Sequence, residues 1–499
     1  MKTKYIWLLA GLIGFSACNE EADFIDEEVV VELPALTAGS ADFSNYVALG
    51  ASFTAGYTDG GLFKAGQEDS FPNTLAKQFA NAGGGAFTQP LMSDNTGGVL
   101  VGGNVAAGYR LVFGGAGPVP LNLFLASKGA PVPSITTEAG VNIGSNFNNF
   151  GMPGAKSWHL VAPGYAAASP FYARVASAPT ATVLGDAVAQ NPTFFTLSEV
   201  GGNDVLGYAT SGGDGSNPIT DSPTFDAALN ALVDGLTAGG AKGAVTNVPY
   251  ITDLPHFTTV THNVIPMDAG TAAVVNGAYA QYNGGIVQAF AYLVATTPMT
   301  QAMADAEIAK RTIMFQEATD NAVVIMDETL TDLTQINPQL VSMRQATADD
   351  MIVLPASTVI GTEAQPGNPL SVNGVAVPLA DKWVLLPSEQ EEIKMATDAY
   401  NQTIASVVAS KGLALVDLNS ILTSASTNGV KFDDFTLSTS LVTGGLVSLD
   451  GVHLTARGYA FMANEFLKAI DATYGSNFVA SGTMAKAYDY GTNYSPLLQ

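Results

Sequence analysis

The sequence predicts an α/β protein built on a mainly parallel sheet. One observation is a set of short apolar runs that stop at glycine, proline or asparagine: YVALG at 46–50, FFTLSEV at 194–200 before GGND, AVTNV at 244–248 before Pro249, and LALVDL at 413–418 before Asn419. Runs with little alternation suit strands buried on both faces, the habit of parallel sheets. The other is helical spacing between the runs, as in Phe225, Ala228, Leu229, Leu232 and Leu236. Strands alternating with helices imply parallel α/β order.

The elements follow in chain order. Residues 1–4 carry positive charge and residues 5–15 are apolar, a stretch of signal-peptide length that is too short to span a bilayer. Ser16 and Ala17 then lead to Cys18, the only cysteine in the chain. This segment resembles a bacterial lipoprotein signal, and an ordinary secretory peptide is the alternative. The resemblance implies cleavage after residue 17, a lipid anchor on Cys18, and residence in the cell envelope at the outer membrane. The acidic residues 18–44 read as a tether. A single domain is expected over 45–480, interrupted by a Gly-, Asn- and Pro-rich insertion at about 84–147 and by one at about 265–385 that mixes helical patches with loops, with a tail at 481–499. Two helices are well marked near the C-terminus. One opens at PSEQEE, where Ser388 and Glu391 have capping-box spacing, and stops at Gly412; the other starts near Thr455 and places Tyr459, Met462, Ala463, Phe466, Leu467 and Ile470 on one face.

With 47% hydrophobic residues, 52 Gly, 25 Pro and only 13% charged residues, the chain has the makeup of a folded, loop-rich protein. Its 19 Lys+Arg against 44 Asp+Glu give a formal net charge of −25, which repels phosphate backbones and disfavours nucleic acid as a partner. A lone cysteine forms no intrachain disulfide.

Ligands of open parallel sheets sit at the carboxyl ends of the strands. Ser52 follows the first run, NFGMPGAKS spans 149–157, GGND follows Val200, and LDGVHLTARGY at 449–459 precedes the last helix. Ser52 by itself is as consistent with a helix cap as with a nucleophile. A serine nucleophile needs a general base, and the base needs an orienting carboxylate. Asp450 and His453, three residues apart, can meet on one turn. Candidate oxyanion donors are the backbone N–H groups of Ser52 and Gly154 and the side-chain amide of Asn203. Asp204 reads as structural, and His159 as a packing or surface residue on a helix. His256 and His262 lie in a loop that could border the site, without metal-binding spacing.

Ser52 in GASFTAG, Gly154 in NFGMPG, Asn203 in GGND, and Asp450 with His453 in DGVH resemble, in order and spacing, the four sequence blocks of the SGNH or GDSL hydrolases. The resemblance implies a flavodoxin-like three-layer α/β/α sandwich and a Ser52–His453–Asp450 triad with Ser52, Gly154 and Asn203 at the oxyanion. It also implies hydrolysis of carboxylic esters, lipid or acylated sugar, without metal or cofactor. The stretch from Tyr46 looks in particular like GDSL-type lipoproteins of Bacteroidetes. A carbohydrate O-deacetylase of the same fold, or a surface binding lipoprotein with weak turnover, is the alternative. The block named for Gly-Asp-Ser-Leu here reads Gly50-Ala51-Ser52-Phe53, so the aspartate that would brace the serine loop is absent.

Overall fold

The computed structural model describes residues 33–115 and 117–498. The expected signal peptide and Cys18 lie outside them. Five strands form one sheet: β1 (Tyr46–Gly50), β2 (Asn149–Gly151), β3 (Phe194–Ser198), β4 (Lys242–Thr246) and β5 (Ala414–Val416). Their order is β5-β4-β3-β1-β2, and every neighbouring pair is parallel. This is the flavodoxin-like order, whose direction of winding reverses at β1 and β3 and opens a crevice beyond their carboxyl ends. Four strands coincide with the apolar runs. The fifth, β2, is the NFG of the second block itself, three residues long and too short to register as a run.

Helices cover both faces of the sheet. On one side α1 (Phe71–Ala80) packs on α2 (Ala456–Tyr474), with Phe71 and Phe466 stacked at 5.0 Å. On the other α3 (Ser222–Thr237) packs on α4 (Pro387–Lys411), with Phe225 and Tyr400 stacked at 4.1 Å. All five β1 residues are buried between these layers, as a central strand of a three-layer sandwich requires. The N-terminus of α2 is capped as the sequence suggests, Thr455 Oγ1 accepting the Gly458 N–H at 2.9 Å. That of α4 is not: Glu389, rather than Glu391, turns back to accept the Leu386 N–H at 2.6 Å, and Ser388 caps nothing. Pro387 occupies the first helical position, which moves the helix start two residues ahead of the Ser388 spacing.

The 84–147 region forms two small hairpins and a short helix, Leu121–Ser127. The 265–385 region carries two helices, Ala269–Thr296 and Gln301–Arg311, over short antiparallel pairs. It is pinned by Arg344, whose guanidinium meets Asp350 with two contacts of 2.7 Å and Asp327 at 2.5 Å. Chain on either side of 45–480 also packs on this body. Phe43 stacks on Phe79 at 4.1 Å, and the Ser495 carbonyl accepts a 2.7 Å hydrogen bond from buried Arg110. No helix among the described residues is long and apolar enough to cross a membrane.

Candidate active site

The end of β1 turns abruptly into a one-turn helix, Ser52–Ala55, wedged against β2. A Cβ on Gly151 would lie 2.1 Å from the Ala55 nitrogen, so glycine is what lets that turn sit down on the neighbouring strand. Ala51, not Ser52, occupies the cap position of the short helix, and no side chain caps it. The helix-cap reading of Ser52 therefore fails: its hydroxyl has no hydrogen-bond partner among the described residues and lines a cavity, the residue being 8% exposed.

Glu199, which sequence reasoning passed over, provides the bracing that Ala51 lacks. Its carboxylate accepts the Phe53 N–H at 2.8 Å and the Thr54 N–H at 3.1 Å, gripping the backbone just after Ser52. The residue holds a left-handed backbone, φ +54°, at the end of β3, where its own N–H donates to Thr246 Oγ1 at 2.8 Å. Burial pushes its carboxyl up to about 8, against the lowering effect of N–H donors from Thr54, Phe53 and Ala51. The signal in the sequence was a charged residue closing an otherwise apolar run, directly before GGND.

Asp450 and His453 share a tight turn in which the Ser448 N–H donates to the His453 carbonyl at 2.7 Å. Gly451 takes φ +76° there, with the His256 nitrogen 2.9 Å from where a Cβ would stand. Asp450 Oδ2 lies 2.8 Å from His453 Nδ1 and also accepts the Gly60 N–H at 2.8 Å. Oδ1 accepts the N–H groups of Val452 at 2.9 Å and His453 at 2.8 Å, and the Ser448 hydroxyl at 3.1 Å. Burial would raise this carboxyl, but the charge of His453 and the donors from His453 and Val452 outweigh it and hold it well below the usual carboxylate range. An ionised carboxylate only accepts, so the proton of a neutral imidazole sits on Nδ1 and its lone pair on Nε2, the tautomer a general base needs. The imidazole is wedged between Phe53, 5.7 Å away edge to face, and Tyr57 at 4.6 Å. The ring of the residue after Ser52 thus fixes the imidazole next to the serine loop.

The oxyanion candidates follow the ends of three neighbouring strands, β1, β2 and β3. Asn203 Nδ2 donates to the Ala155 carbonyl at 3.0 Å, tying the loop after β3 to the loop that carries Gly154. Gly154 stands at φ +77°, and neither its N–H nor that of Ser52 donates to another described residue. Donors without a partner in the fold are what an oxyanion needs. Asp204 is structural: its two carboxylate oxygens accept the Ser157 N–H at 2.8 Å and hydroxyl at 2.7 Å, fully buried.

The other histidines stand apart. His159 lies on a 3-10 turn, not an α-helix, accepts the Lys156 N–H at 3.0 Å and stacks on Tyr165. His256 lies behind the Asp450 turn, donating its N–H to the Gly451 carbonyl at 3.0 Å, and neither its ring nor that of His262 is hydrogen-bonded to a described carboxylate as His453 is to Asp450.

Ser52, Asn203 and Val452 share the wall of one apolar cavity, which Gly154 and His453 do not line. A family model described as GDSL-like Lipase/Acylhydrolase matches residues 46–466. No curated protein and no solved structure matches the chain.

Proposed function

The chain belongs to the GDSL-like lipase/acylhydrolase family, and from that premise we propose that it is a serine hydrolase of carboxylic esters. In this reading Ser52 Oγ attacks the acyl carbonyl while its proton passes to His453 Nε2. The carbonyl oxygen takes the negative charge and is met by the N–H groups of Ser52 and Gly154 and the amide of Asn203. The alcohol leaves with the proton from His453, and an acyl ester remains on Ser52. Water, deprotonated by His453, attacks that ester; the carboxylic acid departs and Ser52 regains its proton. Asp450 holds the imidazole in its Nδ1–H form and offsets the charge of the imidazolium.

The observation that supports this reading most is the 2.8 Å contact between His453 and Asp450, held beside the aromatic ring that follows Ser52. Against the alternative of a binding protein with weak turnover, Glu199 braces the serine loop where Ala51 offers no side-chain hydrogen bond. Hydrolysis of p-nitrophenyl acetate by the soluble domain, abolished by Ser52→Ala, tests the reading. Export and anchoring through a lipid on Cys18 belong to the same proposal. They predict that the full chain incorporates labelled palmitate in a bacterial host and that Cys18→Ala does not.

A further inference from the structure

The cavity beside Ser52 is not a bowl but a slot between two helices. From α2 it takes Gly458, Phe461, Met462 and Glu465, spaced i, i+3, i+4 and i+7, one stripe down a single helix face. From the facing helix, Leu418–Thr427, it takes Leu418, Ile421 and Leu422, again one stripe. Gly458 to Glu465 spans about 10 Å along the axis. At one end stand Ser52 and Asn203 with Glu199. No charged side chain follows until Glu465 at the other end, where it is held 2.7 Å from Lys468. The far end is thin-walled. Ile421, Phe461 and Glu465 line both the slot and a shallow depression on the outer surface.

An acetyl group would occupy only the mouth of such a space and leave its apolar length empty. A polar acyl group would meet walls without hydrogen-bond partners, at the cost of unpaired polar groups. We propose that the slot receives the acyl chain of the ester, and that the substrate is a fatty acyl ester of about eight to ten carbons or more. The carbonyl rests at Ser52 and the methyl end lies against Ile421 and Phe461, with longer chains emerging into the outer depression. This rests on the reading of Ser52 as the nucleophile and extends it to the substrate. Each methylene drawn from water into the slot raises kcat/KM by up to about fourfold, the rate equivalent of its transfer free energy.

The test combines turnover with binding. Across p-nitrophenyl acetate, butyrate, octanoate and decanoate, kcat/KM should climb at least thirtyfold. Ile421→Trp, which fills the far half of the slot at a half-buried position, should lower the decanoate-to-acetate ratio at least tenfold. Ile421→Ala should keep the climb and extend it to palmitate. Independently of chemistry, Ser52→Ala should bind decanoate but not acetate by calorimetry, and adding Ile421→Trp should abolish that binding. A flat chain-length profile with no decanoate binding overturns the slot while leaving the hydrolase reading intact. Decanoate binding without hydrolysis of any ester overturns the hydrolase reading, and with it the substrate assignment.

Discussion

The Glu199 carboxylate accepts the Phe53 N–H at 2.8 Å from the neighbouring strand end, so the backbone after Ser52 is held from the side and not by the residue before it. This relationship predicts a positioning role. Glu199→Ala removes the acceptors of both the Phe53 and the Thr54 N–H groups. We expect kcat to fall about tenfold to a hundredfold with KM nearly unchanged, since a misplaced nucleophile loses rate before it loses binding. Steady-state kinetics together with slowed fluorophosphonate labelling of Ser52 would check it; a change in thermal stability alone, with kcat intact, would show a purely structural residue.

Asp450→Asn should be far more damaging. The amide can present its NH₂ to His453 Nδ1, which favours the wrong tautomer and takes the lone pair from Nε2. A loss in kcat of about a thousandfold or more is expected at unchanged fold, read by kinetics beside circular dichroism.

Adjacent residues 203 and 204 should separate cleanly. On the proposed mechanism Asn203→Ala removes an oxyanion donor and should lower kcat by about 10², at the smaller stability cost of its one hydrogen bond to Ala155. Asp204→Ala leaves the buried Ser157 N–H and hydroxyl unpaired, and should cost about 2–3 kcal/mol of stability. Urea titration of both variants distinguishes the roles.

Stability should fall as pH rises above about 5. Burial pushes several carboxyls up, among them Asp381 to about 6, Asp59 to about 7, and Glu199 and Glu389 to about 8. The unfolded chain releases these protons near pH 4, whereas the native chain keeps them until pH 6 to 8. In between the native state binds more protons, so each unit of pH lowers its stability. Asp450 acts in the opposite sense, its depressed value giving stability that is present above the ordinary carboxylate range and lost on acidification. The urea midpoint should therefore peak near pH 5 and decline toward pH 8, and Glu389→Gln should flatten the decline. A midpoint that climbs from pH 5 to pH 8 contradicts the assignment.

Much of this was legible in the chain because continuous apolar runs and helical stripes are local patterns. Four of the five sheet strands and the capped start of α2 could be read that way. The strand Asn149–Gly151 could not, since three residues carry no period and its pairing with β1 is fixed across a hundred residues. The capping of α4 was misplaced for the opposite reason: Ser388 and Glu391 have the right spacing, but Pro387 starts the helix earlier and hands the role to Glu389. Glu199 escaped notice because its importance comes from two backbone N–H groups some 145 positions away. The slot escaped it too, because facing stripes on two helices look like ordinary core until the gap between them is seen.

The most direct test of the account is the site of covalent capture. The soluble domain, treated with a fluorophosphonate and digested, should yield a single modified peptide carrying the adduct on Ser52, and Ser52→Ala should lose both the adduct and ester hydrolysis. An adduct on another serine, or hydrolysis that survives Ser52→Ala, would contradict it.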